Sequence, residues 1–170
     1  MPSFEEEVHR YQDRVYGFAF HYLHRREAAE DVTQEVLVRF WQHRDRLESD
    51  ALPWLLRVTR NACIDALRHR SMHRDVFAGD AEEVRRAHSR RASPQADAEA
   101  ADFRAHLDRA LDELGEPYRS LVILREIQGL PYKDISAALD LPLGTVKGYL
   151  HRARKRLRHY LAEATNHELA

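Results

Sequence analysis

Apolar residues recur along this chain every three or four positions, the spacing of one face of an α-helix, and they do so in two separate blocks. In the first block Val8, Tyr11, Val15, Phe18 and Tyr22 trace one such stripe. Ser3 and Glu6 precede it with the three-residue spacing of a capping box. A second stripe, Val32, Val36, Phe40 and Trp41, predicts a helix over 27–47. Only a few residues separate the two, so they are expected to pack antiparallel. A third helix is expected to take Ser49 or Asp50 as its N-cap, with Pro53 in the first turn, where a missing N–H is harmless, and to run to about residue 69. Leu52, Leu55, Leu56, Thr59, Ala62, Cys63, Ala66 and Leu67 share its apolar side; Arg57, Asn61, Ile64 and Arg68 fall on another face.

Over 71–102 the periodicity decays into Ala, Arg, Glu, Asp, His and Ser, with Gly79 and Pro94, which reads as a linker, in part helical. The second block opens with Leu107, Leu111 and Leu114; Glu116-Pro117 starts the next helix, Leu121, Val122 and Leu124 point inward, and Gly129 ends it. The segment LPYKDISAALDLPLGTVKGYLHRARKRLR at 130–158 then predicts a short helix from about 131, a tight turn at 139–142 and a longer helix from 143. Ile135 and Leu139 face Val146, Leu150, Ala153 and Leu157, the pattern of a helix-turn-helix. The expected fold is all-α: a three-helix N-terminal domain and a four-helix C-terminal domain joined by a linker.

Composition agrees with a helical, globular chain: 44% hydrophobic, 32% charged, six Gly and six Pro, with no sustained β-alternation. The formal charge is only −1, so the distribution of charge matters more than the total. Between 141 and 162 there are six Lys or Arg and no acid, whereas 27–35 holds Glu27, Glu30, Asp31 and Glu35 without a base. The single cysteine, Cys63, excludes an internal disulfide or a cysteine-rich zinc site and reads as a core thiol. With no apolar run of membrane-spanning length and a charged N-terminus, neither a membrane insertion nor a secretory signal is expected, and the location expected is cytoplasmic.

With its apolar stripe turned inward, the last helix presents Lys147, Gly148, His151, Arg152 and Lys155 outward. Thr145 and the free N–H groups of the first turn can hold a phosphate oxygen, aided by the helix dipole. Lys147, His151 and Arg152 lie where side chains reach base edges, and Arg154, Arg156 and Arg158 can neutralise phosphates. A basic helix end stabilised by its own dipole is the plainer alternative. Six cations without an acid, directly after a helix-turn-helix, weigh against it.

Three motifs in order, DVTQE at 31–35, WLLRVTRNACIDALRHR at 54–70 and PYKDISAALDLPLGTVKGYLHRARKRL at 131–157, resemble the extracytoplasmic-function sigma factors of bacterial RNA polymerase. The resemblance covers nearly everything but the linker. It implies sigma region 2 over 1–72, a linker over 73–102 and sigma region 4 over 103–170. It further implies a factor without enzymatic activity or cofactor that binds core RNA polymerase, through the β′ clamp helices and the β subunit, and engages promoter DNA. An anti-sigma protein is the regulator the family leads one to expect. By the same resemblance Asp31, Gln34 and Glu35, which share one helix face, dock on the clamp helices. Arg57, Arg60, Asn61 and Arg68 match the helix that approaches the −10 element, and Asp65 is expected to order Arg60 or Arg68. Thr145, Lys147, His151, Arg152 and Lys155 match the reader of the −35 element. Gly148 and Tyr149 depart from the Ser-Arg common in the family at that point, and the glycine adds flexibility inside the helix.

A stand-alone helix-turn-helix regulator shares the last motif but has no need of the first two. A metal-dependent hydrolase is disfavoured because the 11 histidines are scattered and no carboxylate completes a ligand set at helical spacing. Neither a phosphate-binding glycine loop nor a nucleophile motif is present.

Overall fold

The computed structural model describes residues 2–74 and 96–169, and every regular element among them is a helix. Most of the expected linker lies outside the described residues. Its last part, from Ala96, is already helical.

Helix α1 (Phe4–Leu23) starts as its sequence dictates. The Ser3 amide donates to Glu6 Oε2 at 2.7 Å, and the Glu6 amide donates back to Ser3 Oγ at 3.2 Å. Its buried face is Tyr11, Val15, Phe18, Ala19, Tyr22 and Leu23, and His24 closes it in the left-handed region at φ 57°. Helix α2 (Arg26–His43) buries Ala29, Val32, Val36 and Phe40, then gives way to a single 3-10 turn at Arg44–Arg46, so it ends earlier than the expected 47. Trp41, expected in the apolar stripe, is instead 54% exposed. Its ring meets the edge of Phe4 at 4.8 Å and lies under the Arg44 guanidinium at 4.3 Å. Helix α3 (Leu52–Arg74) outlasts the predicted end, and the Asp50 carboxylate accepts from the Leu52 amide at 3.2 Å and from the Tyr11 hydroxyl at 2.8 Å. Leu55, Leu56, Thr59, Ala62 and Cys63 are its buried side. The Thr59 hydroxyl is satisfied inside the helix by Leu55 O at 2.6 Å.

The second module begins with α4 (Ala96–Leu114), which buries Ala110, Leu111 and Leu114. Helix α5 (Tyr118–Val122) runs into a π-helical turn at Ile123–Ile127. Gly129, at φ 67°, ends it where a side chain would be strained. Pro131 then precedes α6 (Tyr132–Leu139), Asp140 takes the left-handed turn at φ 53°, and α7 (Leu143–Leu169) completes the helix-turn-helix. Asp is one of the few side chains that visit this conformation readily. Ile135, Val146, Leu150 and Ala153 are buried between α6 and α7 as their spacing predicts, whereas Leu139 and Leu157 of the same pattern are only half-buried and Ala138 is the second buried residue of α6.

The buried side chains of both blocks form one continuous apolar cluster, so the two modules pack directly against each other. The faces that meet are α1 and α3 on one side and α4 through α6 on the other.

Candidate nucleic-acid and polymerase interfaces

Helix α7 is oriented by its apolar face, which leaves Lys147, His151, Arg152 and Lys155 exposed and Thr145 half-buried at the first turn. These five share an open surface, as the periodicity predicts. The remaining cations of the run are tied down. Arg154 Nε pairs with Glu126, Arg156 lies 4.6 Å from the centre of the Tyr118 ring, and Arg158 Nε donates to Arg154 O at 3.3 Å. Tyr149, one of the two departures from the family pattern, turns its ring toward Tyr118 at 5.5 Å, with the Arg152 guanidinium 5.7 Å from its centre. Gly148, the other, is open: a Cβ there would meet nothing within 4 Å.

The basic face of α3 is arranged differently. Asn61 and Arg68 are exposed. Arg57 donates from Nη2 to Ala137 O at 2.6 Å and from Nε to Ala138 O at 3.3 Å, both carbonyls belonging to the last turn of α6. Arg60 Nε reaches Glu116 Oε2 at 3.1 Å, so its partner is Glu116 rather than the expected Asp65. Glu116 Oε1 also accepts from Tyr22 Oη at 2.8 Å and Ser120 Oγ at 2.6 Å. Beside it the Arg119 side chain, 6% exposed, stacks over the Tyr22 ring at 4.2 Å, donates to Tyr22 O and pairs with Asp112 at 3.0 Å. His24 bridges Asp108 at 3.2 Å and Asp112 at 3.1 Å. At the far end Arg14 Nη1 donates to Gln128 O at 3.2 Å while Gln128 Nε2 donates to Arg14 O at 2.8 Å. Gly17 makes room for that exchange, since a Cβ on it would lie 3.3 Å from Gln128 Nε2.

On α2, Asp31, Gln34 and Glu35 are all exposed along one face, with Glu35 bonded to Arg39 at 2.6 Å. The same face continues at helical spacing to Val38, 56% exposed, and Trp41. Acidic, amide and apolar side chains thereby stand side by side on one exposed helix face. Val38 carries a signal in the sequence, because it lies out of phase with Val32, Val36 and Phe40.

Residues 8–72 match sigma-70 region 2, and residues 104–157 match sigma-70 region 4. RNA polymerase sigma factor CarQ of Myxococcus xanthus is 31% identical over 95% of this chain and 90% of its own length. The chain belongs to the sigma-70 family, as an extracytoplasmic-function sigma factor. A further relative, RNA polymerase sigma-H factor of Pseudomonas aeruginosa, is 30% identical over 90% of the sigma factor and 83% of that protein. The ECF RNA polymerase sigma factor SigE of Mycolicibacterium smegmatis is 35% identical over 96% of the chain, which spans 63% of that relative's length. The fold is shared with CnrH, solved in complex with the cytosolic domain of CnrY, at a TM-score of 0.70 and 23% identity over 94% of this chain and 88% of that one. It is shared also with the sigma factor RpoE of Bartonella quintana, solved with the anti-sigma factor NepR, at 0.67 and 24% over 94% and 96%.

Electrostatics in the sigma factor concentrate where the modules meet. Burial and the neighbouring Glu116 push the Tyr22 phenol well above its ordinary range, which keeps it a hydrogen-bond donor. Burial pushes the Cys63 thiol up to about 12, so it stays protonated and unreactive. At His24, burial opposes the charged form but hydrogen bonds to Asp108 and Asp112 outweigh it, and the pKa rises. His21 is lowered, by burial first, against the pull of Asp108. The contacts that Glu116, Arg119 and Gln128 make with the other module carried no signal in the sequence, and the Arg60–Glu116 pair alone spans 56 positions.

Among the described residues no group of histidine, cysteine or carboxylate side chains could hold a metal ion, and no helix is long and apolar enough to cross a membrane.

Proposed function

We propose that this sigma factor anchors on core RNA polymerase through the α2 face and engages the two promoter elements with two separate helices. Asp31, Gln34 and Glu35, extended by Val38 and Trp41, dock on the β′ clamp helices. Arg57, Arg60, Asn61 and Arg68 on α3 approach the −10 element. Thr145, Lys147, His151, Arg152 and Lys155 on α7 enter the major groove at the −35 element. The N-terminal module covers 1–72 and the C-terminal one 103–170, with 73–102 between them. The observation that carries this reading is the α7 face, where Lys147, His151, Arg152 and Lys155 are exposed on a helix braced by the short helix before it.

The chain does no chemistry in this scheme. Polymerase makes the transcript, the factor positions it, and both act in the cytoplasm. An anti-sigma protein is the regulator this reading expects, since the sigma factor RpoE, which shares the fold, was solved with the anti-sigma factor NepR. Run-off transcription with purified core polymerase and fragmented genomic DNA tests the proposal. Discrete transcripts that require the chain are expected, and their absence from every fragment would sink it. Val38→Lys is expected to weaken assembly with core while leaving duplex DNA binding by α7 intact.

A further inference from the structure

We propose that Tyr149 is a positioning residue of the −35 reader, a ring that holds the Arg152 guanidinium edge-on toward one guanine in the major groove. The inference rests on the reading of Arg152 as a base contact at that element. Arg152, Arg154, Arg156 and Arg158 follow one another along α7, and they are held in two different ways. Arg154 and Arg158 spend N–H donors, the first on Glu126 and the second on Arg154 O at 3.3 Å. Arg152 and Arg156 lie instead over rings, Arg152 at 5.7 Å from the centre of Tyr149 and Arg156 at 4.6 Å from that of Tyr118. Among the described residues neither of these two pairs with a carboxylate. A contact made through the face of a guanidinium leaves its fork of N–H donors free, and that fork fits the O6 and N7 acceptors of guanine.

The ring under Arg152 is itself fixed. Tyr149 meets Tyr118 at 5.5 Å with the ring planes inclined by 60°, and both rings are half-buried against the core. Tyr118 opens α5, where the next two side chains, Arg119 and Ser120, are buried. Arg156, Tyr118, Tyr149 and Arg152 thus run in series, an aromatic pair with a cation at each end. Helical side chains lean toward the N-terminus, so the neighbours of Arg152 on its own helix are positions 148 and 149. Gly148 offers it no side chain, and a Cβ there would meet nothing within 4 Å. Tyr149 is therefore its support on that side. The two departures from the family pattern act together, an empty position beside the arginine and a ring beneath it. Holding the fork in advance spares the side-chain entropy that a free arginine loses on binding, and the gain is felt only where a guanine accepts both bonds.

Holoenzyme assembled from core polymerase and the full chain tests this, on promoters recovered by run-off transcription with each base pair of the −35 element replaced in turn. Wild type is expected to show one guanine whose replacement matters only while Arg152 is present. Tyr149→Leu keeps an apolar side chain against the core and is expected to lower the preference for that guanine about two- to fivefold, with the other positions unchanged. Tyr149→Phe keeps the ring and is expected to keep the preference. In an Arg152→Ala background, Tyr149→Leu is expected to change nothing further. Tyr118→Leu leaves α7 untouched and is expected to cost part of the same preference, with helical content unchanged by circular dichroism. An undiminished preference for that guanine in either leucine variant, a loss spread equally over every position, or the same loss with Arg152 absent overturns the positioning role. The reading beneath it fails separately: if Arg152→Ala leaves the preference at every position as in wild type, Arg152 reads no base, and the inference falls with it.

Discussion

Helices α3 and α7 each carry a basic face, and the two differ in what occupies it. On α7 the cations furthest from the core stand in solvent, and those nearer the core are held by Glu126 and Tyr118. On α3 two arginines at the centre of the face are held by groups from the opposite module, and the residues beyond them are free. One face is trimmed by its own module. On the other, two arginines bond to groups of the neighbouring module. Charge along the sequence does not distinguish them; only the partners do.

The largest effect is expected where both faces share a support. Ile135 is fully buried on α6, which braces α7 and also presents its last carbonyls to Arg57. Ile135→Ala is expected to destabilise the fold by about 2–5 kcal/mol in urea unfolding. Arg152→Ala separates them. It should weaken upstream-element recognition by about 1–3 kcal/mol in a promoter competition assay if it reads a base, with the radius of gyration unchanged. Equal loss on every sequence would make it a phosphate contact.

A smaller effect comes from pH. A histidine whose native pKa is raised stabilises the packing between the modules below its ordinary value and loses that contribution as pH climbs through the raised one. His24, between Asp108 and Asp112 with Arg119 nearby, is of this kind, so that packing should weaken as pH rises above 6.5. His21, lowered by burial and facing Asp108 and Arg104, acts in the opposite sense on the acid side. Scattering across a pH series is expected to show the chain most compact near the ordinary histidine value, with His24→Gln removing the alkaline limb. A limb that survives the substitution would assign it elsewhere. The smallest effect is Gly148→Ala, expected to raise the melting temperature through a gain of about 1 kcal/mol or less, since the added methyl meets only solvent.

How much of this was legible in the sequence follows from the range of the interactions. Helical periods set by residues three and four apart located the helices, the capping box at Ser3 and the helix-turn-helix. They also placed Asp31, Gln34 and Glu35 on one exposed face and Lys147, His151, Arg152 and Lys155 on another. Trp41 misled because its phase fits the α2 stripe only at the edge, and Phe4 with Arg44 can satisfy its ring at the surface. The π-helical turn at Ile123–Ile127 leaves no trace, because one widened turn keeps the helical spacing of its apolar neighbours nearly unchanged. Least legible was the fate of Arg57 and Arg60. Motif and spacing identify them, but Ala137, Ala138 and Glu116 lie 56 to 81 positions away, and a backbone carbonyl has no signature in the side-chain code.

The exposed ring of Trp41 at the end of the proposed docking face has an optical consequence. The chain has two tryptophans, and the other, Trp54, is packed against the core beside Phe40. Covering the indole of Trp41 with a protein surface moves it from water to a drier medium, and its emission shifts to the blue while Trp54 supplies a steady background. Assembly on polymerase can then be followed in real time on unlabelled protein, with Trp41→Phe as the silent control.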